Sequence, residues 1–410
     1  MSYMQPLQPL RKEKKLKFKT ESVALYHGNN IEVLKKFPEN YFDGVVTDPP
    51  YGLKFMSKKW DYTVPSIEEW KAILRVLKPG GHLLAFGGTR TYHRLVVNIE
   101  DAGFEIRDQI QWIYGQGFPK SHDISKAIDK KLGKEREVIG QASHPTSKNR
   151  SGTKSPYQAE NTPLDANHDI TAPSSDEAIQ WSGWGTNLKP ANEPICLARK
   201  PISEKTIAEN VLKWGVGGIN IDECRIELNG EIVPINKLER WSGFGEEKKP
   251  DYESTQNTQG RFPANVIMDE EAGKVLDEQT GVLKSGLRTP DNNVGNEDGN
   301  LYNYGIFGDR KAIPAITYGD SGGASRFFYC AKVSKKERGE GNDHPTVKPI
   351  ELMAYLIRLI TPPGGIVLDP YCGSGSTLLA TIDEEKKAVG IDEDIDSFEI
   401  AKKRIEEKIK

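Results

Sequence analysis

Short β-branched runs alternate with amphipathic stretches along the first hundred residues. Residues 23–27 (VALYH) read as a strand, Gly28-Asn29-Asn30 as a turn and residues 31–37 as a short helix. Residues 43–47 carry Val45 and Val46 and read as a buried strand that stops at Asp48-Pro49-Pro50-Tyr51. Ser66 opens a helix with Glu69 three positions on, a capping-box spacing, and Pro79-Gly80-Gly81 is expected to close it before the strand HLLAF. A helix over 89–102 and a strand over 106–114 follow. The same regularity returns at the other end of the chain: a helix over 349–360, the strand GIVLD, a helix over 377–382, the strand AVGID and an amphipathic helix from Ile395. Strands alternating with helices predict an α/β fold with a parallel sheet covered on both faces.

Between these blocks the pattern breaks. Residues 140–192 and 284–325 are rich in Ser, Thr, Asn, Pro and Gly, a composition that buries little apolar surface and predicts long loops. Isolated ordered pieces stand out: a strand over 194–198 (PICLA), a helix over 202–214, and strands or turn-strand units at RFPANVIMD and RFFYCAKV. The expected organisation is a basic tail over 1–20, one half-domain over 21–120, an insertion over 121–340 that shares strands with the core near 193–199, and a second half-domain over 341–410. No internal repeat is apparent.

Composition narrows the function classes. The formal net charge is −3, from 56 Lys and Arg against 59 Asp and Glu, so any phosphate-binding surface must come from local clustering of cations. The four cysteines (Cys196, Cys224, Cys330, Cys372) have no C-x-x-C spacing, which argues against a disulfide framework or a zinc site and fits a reducing cytosol. No run approaches the length of a membrane span and no apolar signal core opens the chain, so a cytoplasmic protein without a membrane partner is expected.

Two stretches carry candidate chemistry. In DGVVTDPPYG the two prolines remove backbone donors and fix φ, so the strand ends there, and Asp48 cannot be helical because a proline follows it. A carboxylate, a stiff carbonyl and a ring are thereby placed at the C-terminal edge of a strand, where open α/β sheets bind ligands. The carboxylate and carbonyl can accept from an amino group, and the ring can stack on a flat heterocycle. Taken alone, the tetrapeptide fits a proline-rich turn equally well. The second stretch is IVLDPYCGSGSTLLA, a strand, a glycine loop and a helix. Gly373 and Gly375 allow a tight turn and a close backbone approach, and the helix N-terminus presents N–H groups to a polar ligand. Asp392 ends the next strand, where an acid can accept both ribose hydroxyls. The loop is G-x-G only, which favours a nucleoside without phosphates to cradle over NAD or a nucleoside triphosphate, and S-adenosylmethionine is such a ligand.

Asp-Pro-Pro-Tyr early in the chain, followed far downstream by HPTVKP and DPYCGSGS, resembles the β-group of DNA amino-methyltransferases, the N6-adenine and N4-cytosine enzymes. The resemblance covers about residues 22–120 and 340–405, and TNLKPANEPICLARKP, RFPANVI and SRFFYCAK are similar to relatives found in phage and prophage genomes. It implies a Rossmann-like, S-adenosylmethionine-dependent methyltransferase fold with permuted motif order, the catalytic half (21–120) before the cofactor half (341–410), and a large insertion for target recognition. It implies catalytic roles for Asp48, Pro49, Pro50 and Tyr51. Asp369, Pro370, Cys372, Gly373, Ser374, Gly375 and Ser376 would surround the methionine end of the cofactor, with Thr346 and Lys348 near the same moiety and Asp392 on the ribose. The family usually has Gly-Asp before the first helix; here Gly28-Asn29 stands there, and Asn29 still offers a carbonyl acceptor.

The implied chemistry is direct transfer to the amino group of a flipped base, held by Asp48 and the Pro49 carbonyl with Tyr51 stacked on it. No cysteine lies in a Pro-Cys context, which argues against cytosine C5 methylation. Asp at the head of the tetrapeptide favours adenine N6, with cytosine N4 as the alternative. RNA or protein-glutamine methyl transfer and a non-catalytic nucleic-acid-binding relative are more remote. The implied partner is double-stranded DNA, with a homodimer and a separate restriction endonuclease left open. Candidate DNA contacts in the insertion are Trp181, Trp184, Lys189, Arg225, Arg240, Trp241, Arg261 and Arg326.

Overall fold

The computed structural model describes residues 16–53, 61–115, 117, 121–142, 168–228, 233–235, 255–257, 260–284, 321–332 and 347–410. Residues 1–15, Arg240, Trp241 and Thr346 lie outside the described residues, as does most of 284–325.

Ten strands form one sheet: β1 (Leu16–Lys19), β2 (Val23–His27), β3 (Phe42–Thr47), β4 (Leu77–Phe86), β5 (Glu105–Ile113), β6 (Asn192–Arg199), β7 (Val266–Asp269), β8 (Tyr329–Ala331), β9 (Ile366–Asp369) and β10 (Lys387–Asp392), among the described residues. Their spatial order is β1-β2-β10-β9-β3-β4-β6-β5-β7-β8. The run β2-β10-β9-β3-β4 is parallel throughout, β1 and β6 pair antiparallel to β2 and β4, and β5-β7-β8 is parallel again. Strands from both ends of the chain therefore lie side by side, with β9 between β10 and β3.

Successive residues of a strand point to opposite faces, and here both faces are apolar. Val45, Leu83 and Leu368 join a cluster with Phe42, Trp70 and Ile73. Their neighbours Val46, Leu84 and Val367 pack on the other side against the apolar helix Ile350–Ile360. A strand buried on both faces reads as a continuous apolar run rather than an alternating one, which is why VV and IVL mark β3 and β9. The helix Ile67–Val76 carries the expected capping box, with Ser66 and Glu69 each serving the other's backbone.

Several boundaries differ from the sequence reading. Pro79-Gly80-Gly81 does not separate helix from strand, because β4 begins at Leu77 and runs through it. The β3–β4 register steps from Phe42↔Leu77 to Gly44↔His82, so the proline sits in a bulge where no ladder bond is required of it. Gly80 takes φ 80° there and donates to Lys200 O, Asn210 donates to Pro79 O, and Lys78 pairs with Asp43 at 2.6 Å. The helix expected over 202–214 starts at Ile207, fixed by a Thr206–Glu209 capping box. Among the described residues of RFFYCAKV, Tyr329–Ala331 is strand, and Ala324–Phe327 forms a 3-10 turn.

The chain divides into two compact units. One comprises residues 1–115, 193–337 and 348–410 and holds the sheet; the other comprises 116–192 and 338–347. Within the second, helices Ile124–Leu132 and Asp176–Gln180 are tied by buried Asp129, which accepts from Arg136 at 2.6 Å, from the Ser175 hydroxyl at 2.6 Å and from the Ser174 and Ser175 amides. Two short strands, Val138–Ala142 and His168–Thr171, pair beside them, so the composition-based expectation of loops over 140–192 holds only in part. No helix among the described residues is long and apolar enough to cross a membrane.

Candidate active site

Because β3 and β9 are parallel neighbours, Asp48 and Asp369 emerge at the same edge of the sheet despite their separation in sequence. The Thr47 hydroxyl, between them, donates to Asp369 Oδ1 at 2.7 Å. Pro49 is buried and Asp48, Pro50 and Tyr51 are half-buried. The tip is clamped from a direction the sequence did not disclose: buried Asp61 accepts from three consecutive amides, Tyr51 at 2.8 Å, Gly52 at 2.9 Å and Leu53 at 3.2 Å. The Thr91 hydroxyl donates to Tyr51 O at 2.6 Å. The proline-fixed loop is thus also pinned at its far end.

Four side chains converge on this tip. The Tyr51 hydroxyl lies 2.7 Å from Asp48 Oδ1 and 2.8 Å from Glu193 Oε2. Lys348 Nζ lies 2.5 Å from Asp48 Oδ2, 3.1 Å from Glu193 Oε2 and 3.2 Å from the Tyr51 oxygen, and it sits over the Phe86 ring at 4.9 Å. Burial opposes the lysine charge, but Asp48 and Glu193 outweigh it and hold its pKa above the ordinary value. Burial, then the same two carboxylates, pushes the Tyr51 phenol well above its ordinary range, so it stays protonated. Lys348, expected beside the cofactor's methionine end, therefore makes its contacts with Asp48 and Tyr51 of the tetrapeptide, while Glu193 joins the cluster unannounced.

The second pole is built from β9, β10 and the loop between Asp369 and the helix Ser376–Asp383. Gly373 and Gly375 have φ of 51° and 81°, and a Cβ on Gly375 would stand 3.0 Å from that of Ala401, so both turn and packing demand glycine. Buried Arg404 donates to Ser374 O at 2.7 Å and to the Ser374 hydroxyl at 3.0 Å, fastening the loop from below. Asp392 accepts from the Gly373 amide at 2.7 Å and the Asp394 amide at 2.9 Å. Pro370 and Cys372 are buried; burial keeps the Cys372 thiol protonated, with a pKa well above normal. Tyr371 donates to Glu69 at 2.9 Å. Asn29 is exposed, and its Oδ1 caps the helix Asn30–Leu34 by accepting from Glu32 N at 3.4 Å, next to Gly28, whose amide donates to Asp392 O.

Burial raises the Asp369 carboxyl to about 7 and the Asp392 carboxyl to about 6. Each group binds its proton more tightly folded than unfolded, so folding stability falls as pH rises from about 4 towards 7, by about 1.4 kcal/mol per unit of raised pKa. Asp369→Asn keeps the acceptor for Thr47 and removes this titration. In urea unfolding at pH 4, 5.5 and 7 the variant should gain stability relative to the parent at each step; a constant difference would contradict the assignment.

Of the other candidate contacts, Trp181 and Trp184 form an exposed edge-to-face pair at 5.0 Å and Lys189 is exposed. Arg225 pairs with Asp222, and Arg261 and Arg326 lie over the Phe327 ring, Arg326 also donating to the Gly322 and Gly323 carbonyls.

A large, mostly parallel α/β sheet with a proline-capped carboxylate and a glycine loop on adjacent strand ends defines a Rossmann-like methyltransferase fold. The chain belongs to the N6/N4 DNA methylase family, whose model matches residues 42–403, and is a DNA amino-methyltransferase of that family. It is 20% identical over 427 residues to the Type II methyltransferase M.HindIII of Haemophilus influenzae, across 93% of this chain and 94% of the relative. Solved structures similar to it include the M1.HpyAVI–SAM complex (17% identity, 93% of this chain and 98% of that one, TM-score 0.40). Another is the cytosine-N4-specific PvuII DNA methyltransferase (13% identity, 95% and 89%, TM-score 0.42).

Proposed function

We propose that the chain methylates the exocyclic amino group of a base in double-stranded DNA, adenine N6 in first place and cytosine N4 in second, using S-adenosylmethionine. The observation that carries the reading is the meeting of Asp48 and Asp369 on neighbouring strand ends, each held by its own hydrogen bonds and joined through Thr47. The second pole fits the cofactor: a tight loop with Gly373 and Gly375 at positive φ, backbone N–H groups at a helix N-terminus, and Asp392, whose carboxylate retains lone pairs for ribose hydroxyls. When bound, S-adenosylmethionine supplies an electrophilic methyl group.

The chain's own residues do the rest. An exocyclic amine is a poor nucleophile because its lone pair is delocalised into the ring. Hydrogen bonds from its N–H groups to the Asp48 carboxylate and the Pro49 carbonyl localise that lone pair and aim it, while Tyr51 stacks on the base. A duplex base reaches such a tip only when flipped out. Asp61 and Thr91 keep the tip rigid, and Lys348 fixes the Asp48 carboxylate. Thr346 is assigned to the cofactor side by family resemblance alone, and Lys348 is reassigned to the catalytic tip. The likeness to a Type II methyltransferase supports a restriction–modification role.

Nucleoside mass spectrometry of unmethylated DNA treated with the protein and labelled S-adenosylmethionine tests the base. N6-methyladenine is expected. N4-methylcytosine alone would reverse the base assignment, and label appearing only in RNA or protein would overturn the DNA reading.

A further inference from the structure

We propose that Glu193 is a positioning residue that finally receives the proton released by methyl transfer, passed to it from Asp48 through the Tyr51 hydroxyl. This rests on the amino-methyl reading above. The first support is a proton count. The Tyr51 hydroxyl carries one proton yet stands 2.7 Å from Asp48 Oδ1 and 2.8 Å from Glu193 Oε2, both hydrogen-bond distances. Lys348 donates to the same oxygen and to both carboxylates, so it supplies no proton to the line Asp48–Tyr51–Glu193 itself. One phenolic proton cannot fill two such contacts, and the line has a place for one more.

The second support is charge. Two carboxylates share one ammonium, leaving the cluster one negative charge in excess beside a lysine side chain only 7% exposed. An added proton neutralises that excess where water does so poorly. Third, Glu193 reaches solvent at the far end of the line: its side chain is 22% exposed, much as that of Asp48 (21%), and it is the second residue of β6.

The step balances. As the N–C bond forms and the methyl C–S bond breaks, the exocyclic nitrogen is left with one proton too many. That proton passes to the Asp48 carboxylate, giving a neutral methylamino group. Asp48 Oδ1 then gives a proton to the Tyr51 oxygen while Tyr51's own proton moves to Glu193 Oε2. The phenol ends neutral, Asp48 ionised and Glu193 protonated. The phenol never becomes an anion, which its raised pKa would penalise.

Glu193→Gln keeps the shape and removes the proton acceptor. In single-turnover transfer of labelled methyl to DNA, the variant should be slower by about 10²-fold at pH 7, a usual scale for one positioned proton-transfer group. S-adenosylmethionine affinity should not change, the deficit should narrow as pH rises, and Glu193→Asp should recover part of the rate. The groups facing Glu193 are Asp48, Tyr51, Lys348 and Tyr114. A second readout is the double substitution: Tyr51→Phe removes the hydroxyl that links Asp48 to Glu193, so adding Glu193→Gln to it should slow transfer little further. A Glu193→Gln enzyme with the parent's rate and pH profile, or a double variant whose deficit is the full product of the two single deficits, would overturn the relay alone. A parent that methylates no DNA would overturn the amino-methyl reading and the relay with it.

Discussion

Asp48→Ala should slow methyl transfer by about 10³-fold or more, while S-adenosylmethionine still binds. The expectation follows from how the cluster is divided. In the proposed mechanism Asp48 is the acceptor for the base amino group, and no hydrogen bond joins it to the Gly373–Gly375 loop or to Asp392 among the described residues. Its removal takes a like charge away from Asp369, whose carboxyl then ionises more readily, a change that favours hydrogen-bond acceptance at the cofactor pole. Nor does the fold depend on it. Lys348 keeps Glu193 at 3.1 Å and the Tyr51 oxygen at 3.2 Å, leaving one ammonium balanced by one carboxylate. The melting temperature should therefore fall by less than about 3 °C. Calorimetric cofactor binding beside a transfer assay separates the two effects; transfer at an undiminished rate would remove Asp48 from the mechanism.

What the sequence discloses, and what it hides, follows from the range of the interaction. The strand ends at Asp48 and Asp369 were legible because their signals are local: β-branched runs, prolines that cannot continue a strand, and glycines at positive φ. Strand order was legible only through the α/β alternation, which predicts parallel neighbours without saying which. Glu193 and Lys348 were not legible as partners of the tip, since they reach Tyr51 and Asp48 across 142 and 300 residues. The one available signal was an acid immediately before the buried run PICLA, and it gains meaning only once that strand is placed beside β4. Asp61 is one of 59 acidic residues and lies ten positions past the Tyr51 amide it holds, so nothing in its own neighbourhood marks it. The proline in β4 misled for the opposite reason. Its local preference is real, and the bulge with its contacts from Lys200 and Asn210 accommodates it.

The reciprocal substitution should behave differently. Lys348→Met keeps most of the length and the apolar stem of the side chain but removes the charge that lies over the Phe86 and Tyr51 rings and that Asp48 and Glu193 share. Two partly buried carboxylates then face one phenol, with one proton to satisfy them. Breaking a buried pair from one side leaves an uncompensated charge and costs about 3–5 kcal/mol, so the variant should lose far more stability than Asp48→Ala. The two carboxylates relieve their repulsion by sharing a proton, which lowers the cost in acid and restores it as pH rises. Methyl transfer should fall by at least about 10²-fold, because an Asp48 that holds a shared proton is a weaker acceptor for the base amino group. Urea unfolding of parent and variant at pH 5 and pH 8 measures the first effect. A stability difference that is small at both pH values would mean that Lys348 does not hold the two carboxylates together, and Glu193 would lose its place beside the tip.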